Sequence, residues 1–185
     1  MPEFEVLIGR DRIHRRIAEL AAAILARHAD PRRLCVVAVM DGARVFCDHL
    51  VPQLGPRIEV RAIRAKSYVG TNSCGTVALS SADAHQGNET LRVTGRDVLV
   101  VEDIVDTGRT VARLREHFLG EGARSVEVVT LLSKPSRREV DVPLDFVGFE
   151  IEDRFVIGFG MDFDGRYLEL AEIVVYDAAR VTQRP

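Results

Sequence analysis

Residues 98–111 read VLVVEDIVDTGRTV. Val98 to Val101 is an unbroken apolar, mostly β-branched run, the length of a buried strand and too short for a helix. Glu102, Asp103 and Asp106 follow, then Thr107-Gly108 as a turn, and Arg109-Thr110-Val111 opens a helical pattern. A buried strand that ends in acids and feeds a helix through a Thr-Gly turn suits a sugar phosphate. Backbone N–H groups at a helix start hold the anion, and carboxylates address hydroxyls or a metal. Asp and Thr also cap ordinary helices, but three acids so close together exceed what capping needs.

Outward from this stretch the same grammar repeats. Leu34 to Met40 (LCVVAVM) is a second buried strand, ending in Asp41-Gly42-Ala43. A helix follows it, with Val45, Phe46, His49, Leu50 and Leu54 on one face; His49 is expected to pack there with a hydrogen bond. Val126 to Leu132 (VEVVTLL) is a third strand, ending in Ser133-Lys134-Pro135. Before these, residues 11 to 29 carry Ile13, Ile17, Leu20, Ala21, Ile24 and Leu25 at helical spacing. Asp11 is the predicted N-cap, and Asp30-Pro31 the stop. After the central stretch, Val111, Leu114, Phe118 and Leu119 give another helix its apolar face, which Gly120 to Gly122 ends.

The remainder reads as shorter pieces. Arg57 to Lys66 alternates in part and suits an edge strand. From Ser67 to Thr94 the chain is polar around Val77 to Leu79, which predicts a two-stranded flap over about 66–94, with Ser67 and Tyr68 at its base. Phe146 to Phe149 and Phe155 to Phe159 are short strands across an acidic turn, Met161 to Tyr167 a turn, and Ile173 to Tyr176 a last strand. Alternating strands and helices predict an α/β fold, a mostly parallel twisted sheet with helices on both faces. Ligands bind such sheets beyond the strand C-terminal ends, where Asp41, Glu102 and Lys134 converge.

A chain of 185 residues is expected to form a single domain, 1–185. A net charge of −3 gives no electrostatic case for nucleic-acid binding. The three cysteines lack CxxC spacing, which fits a reduced cytoplasmic chain. The first residues lack the pattern of a signal peptide. No apolar run approaches the ~20 residues that span a membrane.

The stretch VLVVEDIVDTGRTV resembles the phosphoribosyl-pyrophosphate signature of type I phosphoribosyltransferases. Asp106 stands where the 6-oxopurine branch is acidic. LLSKPSRREVDVPLDFVGFEIEDRFVIGFGMD (Leu131 to Asp162) and KSY (Lys66 to Tyr68) resemble the hypoxanthine-guanine branch. The resemblance implies the type I fold with a flexible flap and a small hood formed by the N-terminal segment and about 145–180. It implies transfer of phosphoribose to hypoxanthine or guanine with Mg²⁺, in a homodimer or homotetramer. A xanthine-preferring transferase and a non-catalytic nucleotide sensor are the other readings.

Residue by residue, the resemblance gives Glu102 and Asp103 the ribose hydroxyls and a magnesium ion. It gives Asp106, Thr107, Gly108, Arg109 and Thr110 the 5′-phosphate, with Asp106 also facing the purine as catalytic base. Ile104, Lys134, Phe155, Val156 and Asp162 line the purine side: Lys134 at the 6-oxo oxygen, Phe155 stacked on the ring, Val156 through its backbone, and Asp162 holding a second magnesium. Asp41 and Gly42 form the pyrophosphate loop, with Ser67 and Tyr68 of the flap above it. Two departures stand out: the family commonly has a basic residue where Asp41 stands, and an arginine where Leu168 stands, with Arg166 two residues earlier. Pyrophosphate is therefore expected to lean more than usual on magnesium and backbone N–H groups, with Arg166, reaching from a different angle, as the substitute cation.

Overall fold

The computed structural model describes residues 4–66, 78–81 and 92–177. Along them the chain runs β1 (Glu5–Ile8), α1 (Arg10–Arg27), β2 (Leu34–Met40), α2 (Ala43–Leu54), β3 (Glu59–Lys66), β4 (Ala78–Ser81), β5 (Asp97–Val105), α3 (Arg109–Gly120), β6 (Ser125–Ser133), β7 (Phe146–Glu150), β8 (Val156–Ile157) and β9 (Ile173–Val175). Six strands form one sheet in the order β4-β3-β2-β5-β6-β7. All neighbours in it are parallel except the outer β3–β4 pair. A second, antiparallel sheet has the order β1-β9-β8.

Strand alternation distributes the core. Leu34, Val36 and Ala38 of β2 join Leu99 and Val101 of β5 in a cluster with α1 and α2. Cys35, Val37 and Val39 join Val98 and Val100 beneath Val111, Leu114 and Phe118 of α3. The predicted helices on both faces are therefore present. On α1, the stripe Ile13, Ile17, Leu20, Ala21 and Ile24 is buried; full burial of each isoleucine contributes about 1.5–3 kcal/mol. Cys35 and Cys47 are free and buried, and desolvation pushes both thiols up to about 11.

Several local expectations change. Helix α1 starts at Gly9, whose carbonyl accepts from Arg12 and Ile13 at 3.1 Å; Asp11 lies inside the first turn instead of capping it. Its charge still favours the N-terminal dipole end. Strand β3 is not an edge, because β4 pairs along Ile63 to Lys66. Strand β5 extends past its apolar run to Val105, carrying Glu102 and Asp103 within it. Phe146–Glu150 joins the large sheet beside β6, so the two short strands around the acidic turn lie in different sheets. Leu119 is half exposed and lies off the buried face of α3.

Candidate active site

Parallel strands deliver their C-terminal ends to one edge, and three of those ends build the site. Strand β6 pairs with β5 up to Val105↔Ser133. The Lys134 N–H then donates to the Val105 carbonyl at 3.0 Å, so Lys134 follows directly beside Asp106 in space. On the other side of β5, strand β2 ends in a cis peptide between Met40 and Asp41. Gly42 lies against Asp103: a Cβ there would stand 2.6 Å from the Asp103 carboxyl carbon. Glycine is the residue that fits this approach.

Burial sets the electrostatics of β5. Glu102 is only 8% exposed. Desolvation, then the neighbouring Asp103, push its carboxyl well above the usual range. Asp103 is raised too, by burial first and also by Asp162, against the lowering by backbone N–H groups. Asp162, from the turn after β8, lies close enough for its charge to act on Asp103, and its carboxylate accepts from the Gly165 N–H at 2.6 Å. No described lysine or arginine forms an ion pair with Glu102 or Asp103. Ile104 between them and the loop is half-buried against the core.

At the start of α3 the loop Asp106 to Thr110 is shaped by Gly108, at φ +82°. A Cβ on Gly108 would stand 2.8 Å from the Val140 carbonyl oxygen. Below the loop, the N–H groups of Glu139 and Val140 donate to the Thr107 carbonyl at 3.0 and 3.1 Å. Thr107 Oγ1 accepts from the Arg109 N–H at 3.4 Å, and Arg109 pairs with Glu139. Helical bonding begins with Ala112 N–H to the Gly108 carbonyl. The N–H groups at the first turn of α3 lack intrahelical acceptors, the feature on which the expected 5′-phosphate cradle rests.

On the opposite side of Asp106 runs a chain of charges. Arg137 Nε donates to Asp106 Oδ1 at 3.2 Å, and Arg137 Nη1 lies 3.8 Å from Asp153 Oδ2. Lys134 Nζ, nearly buried, donates to Asp153 Oδ1 at 3.4 Å. The sequence reading missed Arg137 and Asp153. Arg137 sits three residues after Lys134 on the turn Pro135–Arg137, and Asp153 lies in the acidic turn, where nothing in the pattern distinguished them from solvated charges.

Phe155 is 52% exposed, an unusual state for a large aromatic. Its ring meets Phe163 and Tyr176 edge-on, at centroid distances of 5.8 and 5.7 Å. Val156 is buried, in strand β8 against β9. Asp41 is paired with Arg64 at 3.2 Å. Leu168 and Arg166 are exposed. His49 packs by ring contact on Phe159 and His14, at 5.2 and 4.8 Å, with no side-chain hydrogen bond among the described residues. Ser67 and Tyr68 lie outside the described residues, as does most of the proposed flap.

Among the described residues no three His, Cys, Asp or Glu side chains form a metal-holding cluster. The site instead pairs adjacent hard-oxygen donors, Glu102 and Asp103, with Asp162 nearby. Magnesium is commonly bound this way, through one or two carboxylates and the substrate's phosphates. The raised carboxyls fit a cation that would offset their burial.

Residues 9–164 match the family described as Phosphoribosyl transferase domain. The chain is 36% identical over 175 residues to the hypoxanthine-guanine phosphoribosyltransferase of Bacillus subtilis, covering 95% of this chain and 94% of that one. It is 37% identical over 171 residues to the hypoxanthine phosphoribosyltransferase of Haemophilus influenzae, covering 91% and 93%. A crystal structure of a hypoxanthine-guanine phosphoribosyltransferase from Bacillus anthracis superposes with a TM-score of 0.80 at 32% identity, covering 92% of this chain and 95% of that one.

Proposed function

The chain belongs to the phosphoribosyl transferase domain family, and from that premise we propose that its site transfers phosphoribose from phosphoribosyl pyrophosphate to hypoxanthine or guanine. It is an enzyme of purine salvage, giving IMP or GMP and pyrophosphate. The observation that carries this reading is the junction of the two halves of the site. The Glu102–Asp106 end of β5 lies directly beside Lys134 at the end of β6, so a sugar phosphate and a 6-oxo base would meet.

In the reaction the C1–O bond breaks and pyrophosphate leaves with the electron pair. A purine nitrogen bonds to C1, and its proton passes to Asp106 as general base. The cradle at the start of α3 holds the 5′-phosphate, and Glu102 and Asp103 take the ribose hydroxyls. Their negative charge opposes the positive charge that develops on the sugar. Lys134 donates to the 6-oxo oxygen, and Phe155 offers its exposed face for stacking. For Phe155 to stack, Phe163 and Tyr176 need only hold the ring where they already support it. Before the base arrives, Arg137 engages Asp106 and Asp153 engages Lys134, so binding exchanges internal pairs for substrate contacts.

Glu102, Asp103 and Asp162 would hold magnesium, which supplies charge neutralisation of the departing pyrophosphate when bound. Homodimer or homotetramer formation is proposed from the family and is read by sedimentation. No helix among the described residues is long and apolar enough to cross a membrane.

The test is a spectrophotometric assay of the full chain with phosphoribosyl pyrophosphate, magnesium and each of hypoxanthine, guanine, xanthine and adenine. Turnover of hypoxanthine or guanine above xanthine and adenine is expected. Preference for xanthine would overturn the base assignment, and nucleotide binding without any turnover would overturn the enzyme reading.

A further inference from the structure

Position 41 is one of the two places where this chain departs from the charge pattern that the resemblance implies, and the structure shows what surrounds it. Asp41 follows β2 and its side chain is 80% exposed. The adjacent Gly42 packs on the Asp103 carboxylate, which ties the turn to the acid end of β5. Strand β3 runs parallel to β2 with Arg64 level with Met40. From there Arg64 reaches the turn, where its Nη2 donates to Asp41 Oδ1 at 3.2 Å. The second expected cation is also absent, since Leu168 is an exposed apolar side chain at that position.

A leaving pyrophosphate concentrates several negative charges beside this turn. Backbone N–H groups alone balance only partial charge. A guanidinium matches a phosphate with paired donors, and its charge is permanent. Arg64 stands at the same sheet edge as Asp41, Glu102 and Lys134, on a rigid strand, 48% exposed and so open to a ligand from solvent.

The geometry points to Arg64 as the pyrophosphate-binding cation of this enzyme. It supplies from β3 the charge that the turn itself lacks. Asp41 holds the guanidinium at the turn in the free protein, and pyrophosphate displaces that carboxylate on binding. This rests on the phosphoribosyltransferase reading above. It adds a cation from β3 to the expectation that pyrophosphate leans on magnesium and backbone N–H groups, and takes the substitute role that the sequence offered to Arg166.

The experiment compares the full-length protein with Arg64→Gln, Arg64→Lys and Asp41→Asn. Two readouts are used: steady-state kinetics with hypoxanthine, and calorimetric titration with inorganic pyrophosphate and magnesium. Arg64→Gln is expected to raise KM for phosphoribosyl pyrophosphate about tenfold and to weaken pyrophosphate binding by a like factor, the scale of one charge-assisted contact at a partly exposed site. KM for hypoxanthine and the affinity for IMP stay unchanged, and Arg64→Lys recovers part of the loss. Asp41→Asn releases the guanidinium and lowers KM for phosphoribosyl pyrophosphate about threefold at low salt, where exposed charges are least screened.

Unchanged pyrophosphate affinity in Arg64→Gln overturns the assignment. So does a raised KM in Asp41→Asn, which would make Asp41 itself a substrate or metal ligand. If the unsubstituted protein turns over no base, the transferase reading fails; the pyrophosphate titration still decides whether Arg64 binds the anion.

Discussion

The Asp103 carboxylate rests against the α-carbon of Gly42, so that the turn after β2 and the acid end of β5 hold each other in place. A methyl group at position 42 has no room, and the carboxylate must move. Gly42→Ala is expected to lower kcat/KM for phosphoribosyl pyrophosphate about 100-fold, the size that a displacement of ~1 Å can cause in a preorganised site. A 5′-nucleotide titration separates this from unfolding, because the start of α3 is untouched and IMP should still bind, more weakly where Asp103 would meet the ribose.

Asp106 is the proposed base and is held by Arg137 at 3.2 Å. Asp106→Asn keeps the shape and removes the proton acceptor. The expected result is a fall in kcat of about 100-fold, within the usual contribution of general acid–base catalysis, with little change in KM for phosphoribosyl pyrophosphate. A KM effect alone would assign Asp106 to binding.

Lys134 is nearly buried beside Asp106 and is the proposed partner of the 6-oxo oxygen. On the proposed reading it would face another donor in the amino group of adenine and gain no contact there, so adenine is expected to be rejected. Discrimination of this kind reaches about 10⁴-fold. Lys134→Gln can present a carbonyl or an amide N–H, so it should narrow the hypoxanthine-to-adenine ratio by at least about tenfold. Competition kinetics with the two bases measure it directly.

The raised carboxyls give the ligand-free protein an unusual pH response. Glu102 and Asp103 bind protons more tightly folded than unfolded. Their contribution to stability is therefore complete in acid and lost as pH rises from about 4.5, the ordinary value for Glu102, through the raised folded values. Across that window the melting temperature contributed by this pair falls with rising pH. Glu102→Gln should flatten the dependence and stabilise the free protein at pH 8 by about 1 kcal/mol, as relief of an active-site conflict commonly does. Thermal melts from pH 5 to 8 give the comparison, and a steeper slope in Glu102→Gln would refute the assignment.

The centre of the main sheet was legible because β2 and the first half of β5 are apolar runs: Leu34–Met40 matches β2 end to end. The acid stretch and Lys134 were legible because each stands at the end of such a run. Pairing was less so. Nothing within Arg57 to Lys66 indicates that Ala78–Ser81 will cover it, since the partner lies beyond a polar segment. Strand β1 is only Glu5–Ile8 and depends on β9, far along the chain, with Arg154 clamped on Glu5 at 2.8 and 2.7 Å. Arg64, Arg137 and Asp153 were invisible for a related reason. An exposed charge in a sequence looks the same whether it faces water or a partner 20 residues away.

Strand β5 begins and ends in buried acid. At its start Asp97 is clamped by Arg124 and Ser125, which hold its carboxyl below the usual range. At its end Glu102 and Asp103 have no ion-pair partner among the described residues and are pushed the other way. The two ends of a single strand thus obey opposite rules: one is electrostatically complete when the chain folds, and the other keeps a charge that the proposed metal and substrate would offset. Acidification should release the first end while relieving the second. An arginine placed to neutralise Glu102 would give a protein that folds better and, on the proposed reading, binds magnesium less well.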